Sequence, residues 1–302
     1  MGEIAALSAS AFWAMASIIF SRLGKTISAL ALNWLKCIIA LGLMLIVLVL
    51  LEGTFWPRGL SPMETGLLAI SGLVGLTVGD TVFFGALNRL GARRTLLFAA
   101  LAPPMTSLMA VPVLGEPLGM PLIVGMTLTM GGVVWVISER HSGGDHLEIR
   151  HDDGRMTSSM KWGIAMAVGA AFCQALGNVL TKLGGSQITA LEISIVRLAF
   201  GVLGLTILVG LAGRLVGTLA SMKRPKTAMM VVSATFLGTF LGIWLMNAGL
   251  RYTYVGIAST LSSTSPIFIL PLAYIFDKER LTLRSVGGAL VAVAGVAVLF
   301  LW

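Results

Sequence analysis

Long apolar stretches alternate with short polar breaks along the whole chain. Leu30 to Leu51 carries one charge, Lys36, near its start, and Ser285 to Trp302 carries none. Runs of about 20 apolar residues are long enough to cross a bilayer core as helices. The pattern predicts ten such helices, over 4–22, 29–51, 64–88, 94–113, 118–138, 161–182, 190–213, 227–250, 255–275 and 282–301. The connections are short and leave little chain for an extramembrane domain. The longest, Glu139 to Met160, holds all three histidines. They have no metal-site spacing and read as part of a solvated tether.

Composition supports a lipid environment. Hydrophobic residues make up 57% of the 302 residues and charged residues 11%. Soluble domains carry about 25% charged residues. The net charge of +8 does not imply nucleic acid, because no basic face or aromatic platform accompanies it. Cys37 and Cys173 both lie in apolar segments, so a disulfide framework is not expected.

The chain repeats itself at half length. "AFWAMASIIFSRLG" (11–24) lies over "AFCQALGNVLTKLG" (171–184), which pairs Arg22 with Lys182. "SALALNWLK" (28–36) lies over "TALEISIVR" (189–197), pairing Lys36 with Arg197. Gly75 and Gly79 match Gly238 and Gly242, Pro103 matches Pro266, and Glu116 matches Glu279. Two units follow, 1–138 and 161–302, joined by a polar linker at 139–160. Each has five crossings, an odd number, so the second enters from the opposite side. The expected fold is an all-α membrane protein of two inverted five-helix repeats, an arrangement typical of secondary transporters.

Loop charges orient it. Arginine and lysine cluster after the first, third, fifth, seventh and ninth helices, among them Arg22, Arg89, Arg93, Arg140, Lys223 and Lys278. The opposite side has little beyond Arg58, Lys182 and Arg251. The positive-inside rule then places the linker in the cytoplasm and both termini outside, in a multi-pass cell (inner) membrane protein.

Two segments carry a family pattern: "ALNRLGARRTLLFAALAPPMTSLMAVPVLGEPL" (86–118) and "GLRYTYVGIASTLSSTSPIFILPLAYIFDKERL" (249–281). Each has an Ala/Gly-Leu turn, a mid-helix proline, then Glu and Leu before the last helix of its repeat. Over essentially its whole length the chain resembles the EamA-type members of the drug/metabolite transporter superfamily. The resemblance implies a central cavity lined mainly by the first, third, fourth, sixth, eighth and ninth helices. It is also what brings Trp13 and Ser17 forward as candidates.

Polar residues that break the repeat symmetry are the better candidates. The sixth helix has Gln174 and Asn178 where the first has Ala14 and Ile18. The ninth has Ser262 and Ser263 within "SSTS", where the fourth has "AALA". Trp244 and Asn247 lie on adjoining turns of the eighth. Intramembrane polar side chains face protein or a water-filled cavity, so these groups are expected to line a solute pocket. Serines beside a proline also bond back to their own helix. Pro103 and Pro266 are expected hinges halfway along their helices. Gly75, Gly79, Gly238 and Gly242 are expected to let helices approach closely. Glu116 and Glu279 are expected helix caps, and Lys36 and Arg197 are expected to snorkel to the interface as anchors.

Asp80 is the only acid deep in a segment. Thr77 and Phe84 share its face, and no base stands at i±3 or i±4. An unpaired acid at mid-membrane costs at least about 2.5–3.5 kcal/mol and is a candidate for proton coupling. No fixed cation is expected at the midplane, which disfavours phosphate-bearing solutes. The expectation is a small-molecule carrier, an exporter of a neutral, zwitterionic or cationic metabolite, working in the lipid bilayer and coupled to protons. A cationic multidrug pump and a lipid flippase are the alternatives. No P-loop, HExxH or GxSxG motif is present, so no enzyme, cofactor or metal is expected.

Overall fold

The computed structural model describes residues 1–24, 26–138, 158–265, 267–268 and 283–300. Within them all regular structure is helical. Helices α1 (Gly2–Leu23) and α2 (Ala29–Glu52) are followed by α3 (Pro62–Gly72). A π-helical stretch, Leu73–Gly79, joins α3 to α4 (Asp80–Ala99) without a break in the chain's direction of winding. Then come α5 (Ala102–Leu114), α6 (Met120–Ser138), α7 (Ser158–Gly184), α8 (Ala190–Leu211) and the short α9 (Leu215–Ser221). Helix α10 (Pro225–Thr235) passes through a second π-helical stretch, Phe236–Leu241, into α11 (Gly242–Tyr252). Helices α12 (Val255–Ser262) and α13 (Leu283–Phe300) complete the described fold.

Among the described residues six helical stretches are long and apolar enough to cross a membrane: Gly2–Phe20, Ala29–Glu52, Pro62–Leu87, Met160–Gly184, Ala190–Leu211 and Pro225–Tyr252. Three shorter apolar helices accompany them, Ala102–Leu114, Met120–Val136 and Val286–Phe300. This is a multi-pass membrane fold. Of the expected ninth span, the structure describes only α12 and a few residues after it.

One expected loop is absent. Residues 89–93 were expected to separate two spans, but α4 continues to Ala99 and the interruption falls at Ala100–Leu101. Arg89 is therefore a helical residue, donating from Nη1 to Gly85 O at 3.2 Å and reaching Met166 Sδ at 3.4 Å. Pro103, expected mid-helix, sits in the first turn of α5. A proline costs nothing there, since that N–H has no intrahelical partner. The helix is thus interrupted ahead of Pro103 rather than kinked at it. Pro266 and Glu279 lie outside the described residues, as does nearly all of the linker.

Small residues set the packing. The π-helical stretch at 73–79 runs antiparallel to α7, with Gly75 against Gly177 and Gly79 against Cys173. The other runs antiparallel to α1, with Gly238 against Ala16 and Gly242 against Trp13. Helices α6 and α13 lie along each other through Gly125, Gly132, Gly288 and Gly295, a close approach of the kind small residues allow in membranes. The four glycines expected to permit close helix contacts occupy such contacts.

Candidate functional site

A π-helical turn adds a residue to the backbone ring, so its carbonyls lose the regular i+4 donor and the following side chain is re-aimed. Both turns are stabilised from outside. Asn33 of α2 donates to Leu76 O at 3.1 Å, and Trp13 Nε1 donates to Gly238 O at 2.7 Å. Trp13 was a candidate for stacking on a solute. Its indole N–H is instead committed to the second π turn.

Asp80 follows the first turn directly, its N–H bonded to Gly75 O. Its carboxylate is not alone. Lys36 Nζ of α2 lies 2.8 Å from Asp80 Oδ2 and 5.7 Å from the centroid of the Phe84 ring. Lys36 was expected to reach for the interface, and it turns inward. The reason is physical: an apolar bundle makes two lone charges costly, and one ion pair across helices relieves both. The search for a base near Asp80 along its own helix misses a partner 44 residues away. The two side chains remain 16% and 24% exposed, so the pair is not sealed inside protein.

Arg197 of α8 is the second correction. It was also expected at the interface, but it is 5% exposed. Its Nη1 donates to Asn247 Oδ1 at 2.8 Å, Asn247 Nδ2 donates to Ser194 Oγ at 2.8 Å, and Ser194 returns to Ala190 O at 2.7 Å. Its Nε is buried without a hydrogen-bond partner among the described residues. The guanidinium lies against Gly75, where an added Cβ would come within 3.3 Å of Nη2. Gly72 is required where α3 meets the Arg197 carbonyl, since any Cβ would collide with that oxygen. Where no fixed cation was expected, the bundle interior holds two among the described residues. The repeat did contain a signal, because Lys36 and Arg197 are its paired basic residues at one depth.

The remaining candidates form separate groups. Gln174 Nε2 donates to Asn178 Oδ1 at 3.2 Å on α7, with Asn178 fully buried. Ser262 and Ser263 both return their hydroxyls to Ser259 O, at 2.8 and 3.0 Å. Ser17 bonds Ala14 O at 2.8 Å and is exposed. Trp244 sets its edge on Phe240, with centroids 5.7 Å apart, and packs on the apolar cluster of α2 and α8. Among the described residues no hydrogen bond or ion pair links these groups to Asp80.

One end of the bundle is tied together by three contacts. Both carboxylate oxygens of Glu116 accept from Val255 N, at 3.0 and 2.8 Å, which caps α12. Lys182 Nζ donates to Thr253 O at 2.6 Å and Arg251 O at 3.3 Å. Gly2 packs directly on Thr253. Glu116 was expected to cap a helix, and it caps one from the other half of the chain. Burial pushes its carboxyl above the ordinary range, and the N–H groups of Val255 and Gly256 and the Lys182 charge pull only partly against it. Cavities of about 170 and 330 Å³ lie at this end, the larger lined by Glu3, Lys182, Arg251, Tyr252 and Tyr254.

The EamA-like transporter family model matches residues 1–138 and again 161–301. No curated protein matches the chain. A solved structure described only as "Crystal structure of protein" superimposes with a TM-score of 0.76. The alignment covers 99% of this chain and 96% of the other at 16% identity, which is a likeness of fold.

Proposed function

Because the chain belongs to the EamA-like transporter family, we propose that it is a secondary transporter exporting a small zwitterionic metabolite by alternating access. Membrane transport is the work of the family, and the finer reading rests on one observation. Asp80 pairs with Lys36, and the Arg197 guanidinium lies against Gly75, whose carbonyl accepts from the Asp80 N–H. The cluster carries one net positive charge on ionised side chains. A zwitterion presents its amine to Asp80 and its carboxylate to Arg197 and leaves that charge unchanged. A cationic drug adds charge to a site that already holds two cations, which disfavours the multidrug reading.

Ten crossings in two inverted repeats, 1–138 and 161–302 with 139–160 between them, remain the proposed architecture. Three features support it. The π-helical turns fall at matched glycines, Gly75/Gly79 and Gly238/Gly242. Each turn packs on the matched helix of the other half, α7 or α1. Phe84 and Asn247 stand at the same distance past those glycines, and each receives the basic residue of its own repeat, Lys36 or Arg197. The tied end is then the external gate, the linker is cytoplasmic, and protons entering at Asp80 are the coupling ion in the cell membrane. The interruption at Ala100–Leu101, just ahead of Pro103, is the hinge of the first half, with Pro266 its counterpart in the second. The side chains of Gln174, Asn178, Ser262 and Ser263 line the solute's path.

Proteoliposomes test this. Neutral amino acids should show saturable flux above empty vesicles, lost in Asp80→Asn. Flux of cationic dyes alone, or lipid scrambling without amino acid flux, would reject the proposal.

A further inference from the structure

The Lys36 ammonium already occupies the place that a solute amine would take. It sits 2.8 Å from the Asp80 carboxylate with the Phe84 ring 5.7 Å away. A carboxylate beside an aromatic face is a general recognition site for an amine. Here the chain supplies the amine itself. The pair's side chains are 16% and 24% exposed, so packing does not lock the head group in place, and the lysine stem is a flexible four-carbon tether.

We propose that Lys36 is a tethered occupant of the solute's amine site, holding Asp80 and Phe84 when the carrier is empty and yielding them when a solute amine binds. This rests on the reading that Asp80 belongs to the transport site. It gives the empty carrier a paired Asp80, so the site can reorient without stranding a charge in the bilayer. It also makes the solute compete with an internal cation, so binding energy is released only by an amine that displaces Lys36. The groups facing Asp80 allow one such occupant. Among the described residues the cations in this region are Lys36 of α2, 2.8 Å from the Asp80 carboxylate, and Arg197 of α8, against Gly75. Of the two cations, Arg197 is bonded to Asn247 and lodged against Gly75, so Lys36 is the one free to move.

Ethylammonium chloride is the probe, read as the Tm of purified protein against sodium chloride at equal ionic strength. In Lys36→Ala the vacated site should take the probe, with a Tm rise of roughly 2 °C or more at saturation. The wild type should shift by less than half as much, because Lys36 competes. Lys36→Ala/Asp80→Asn should not shift at all. Lys36→Gln, which keeps a donor toward Asp80, replaces Lys36→Ala if the latter does not purify, with the same expected order. Equal shifts in wild type and single variant overturn the proposal, as does a double variant that responds like the single one. Failure of the underlying transport reading looks different: Asp80→Asn then carries amino acids at the wild-type rate, whatever the probe does.

Discussion

Removing the Asp80 charge strands Lys36, and that separates two consequences of one substitution. Asp80→Asn should lower stability by about 1–3 kcal/mol, between the values for exposed and fully buried pairs. Asp80→Asn/Lys36→Met should recover most of that loss, because both charges leave together. Neither variant should transport, since the amine site is gone in both. Thermal unfolding in detergent and flux in vesicles measure the two effects, and a double variant no more stable than the single one would mean the pair contributes nothing to the fold. At this scale the sequence was half legible. Asp80 stands out in "GLTVGDTVFFGAL" as an acid among apolar neighbours. Its partner does not, because an ion pair between α2 and α4 leaves no short-range spacing. Lys36 and Arg197 looked like anchors because depth along a helix, not the direction the side chain faces, is what a hydropathy pattern reports.

Helix periods were legible and helix irregularities were not. The apolar runs gave the spans of α1, α2, α7 and α8 closely. The π-helical turns were hidden behind glycine pairs, which signal close packing without revealing which backbone bonds are displaced. The extension of α4 to Ala99 was hidden by arginines at 89, 93 and 94, residues that suit a loop and a helix equally. The serine cluster on α12 illustrates the same limit: a hydroxyl counts as polar in sequence, yet Ser262 and Ser263 spend theirs on Ser259 O. The second π turn yields a test. A Cβ on Gly242 would run into the Trp13 indole. Gly242→Ala should therefore cost about 1–3 kcal/mol through overpacking. Trp13→Phe should cost about 1–3 kcal/mol by leaving Gly238 O unmet. Unfolding midpoints report both, and an unchanged midpoint in Trp13→Phe would show that the turn does not depend on this bond.

At the scale of the molecule, the two halves meet along the π-helical stretch before Asp80 and again at the tied end, and the proposed alternating access requires that end to open. Replacing 141–157 with a Gly/Ser segment of equal length should leave flux largely intact, and complete loss at normal expression would assign the histidine-bearing segment a role. The tied end has a definite pH response. Glu116 is buried when it caps α12, and burial raises its carboxyl above the ordinary value of 4.5. A group that binds its proton more tightly in the closed form stabilises that form at low pH. The stabilisation is complete below 4.5 and is lost as pH rises through the raised value. Acid at this end should therefore favour the closed form, and neutral pH should remove that added stabilisation while the Val255 and Lys182 contacts persist. Glu116→Gln mimics the protonated carboxyl at every pH. It should keep the end closed, slow transport at neutral pH, and flatten the dependence of flux on external pH above 4.5. Hydrogen exchange at the Val255 amide measures closure directly. If Glu116→Gln leaves exchange at Val255 and the flux profile as in wild type, the cap on α12 is structural and the gate is controlled elsewhere.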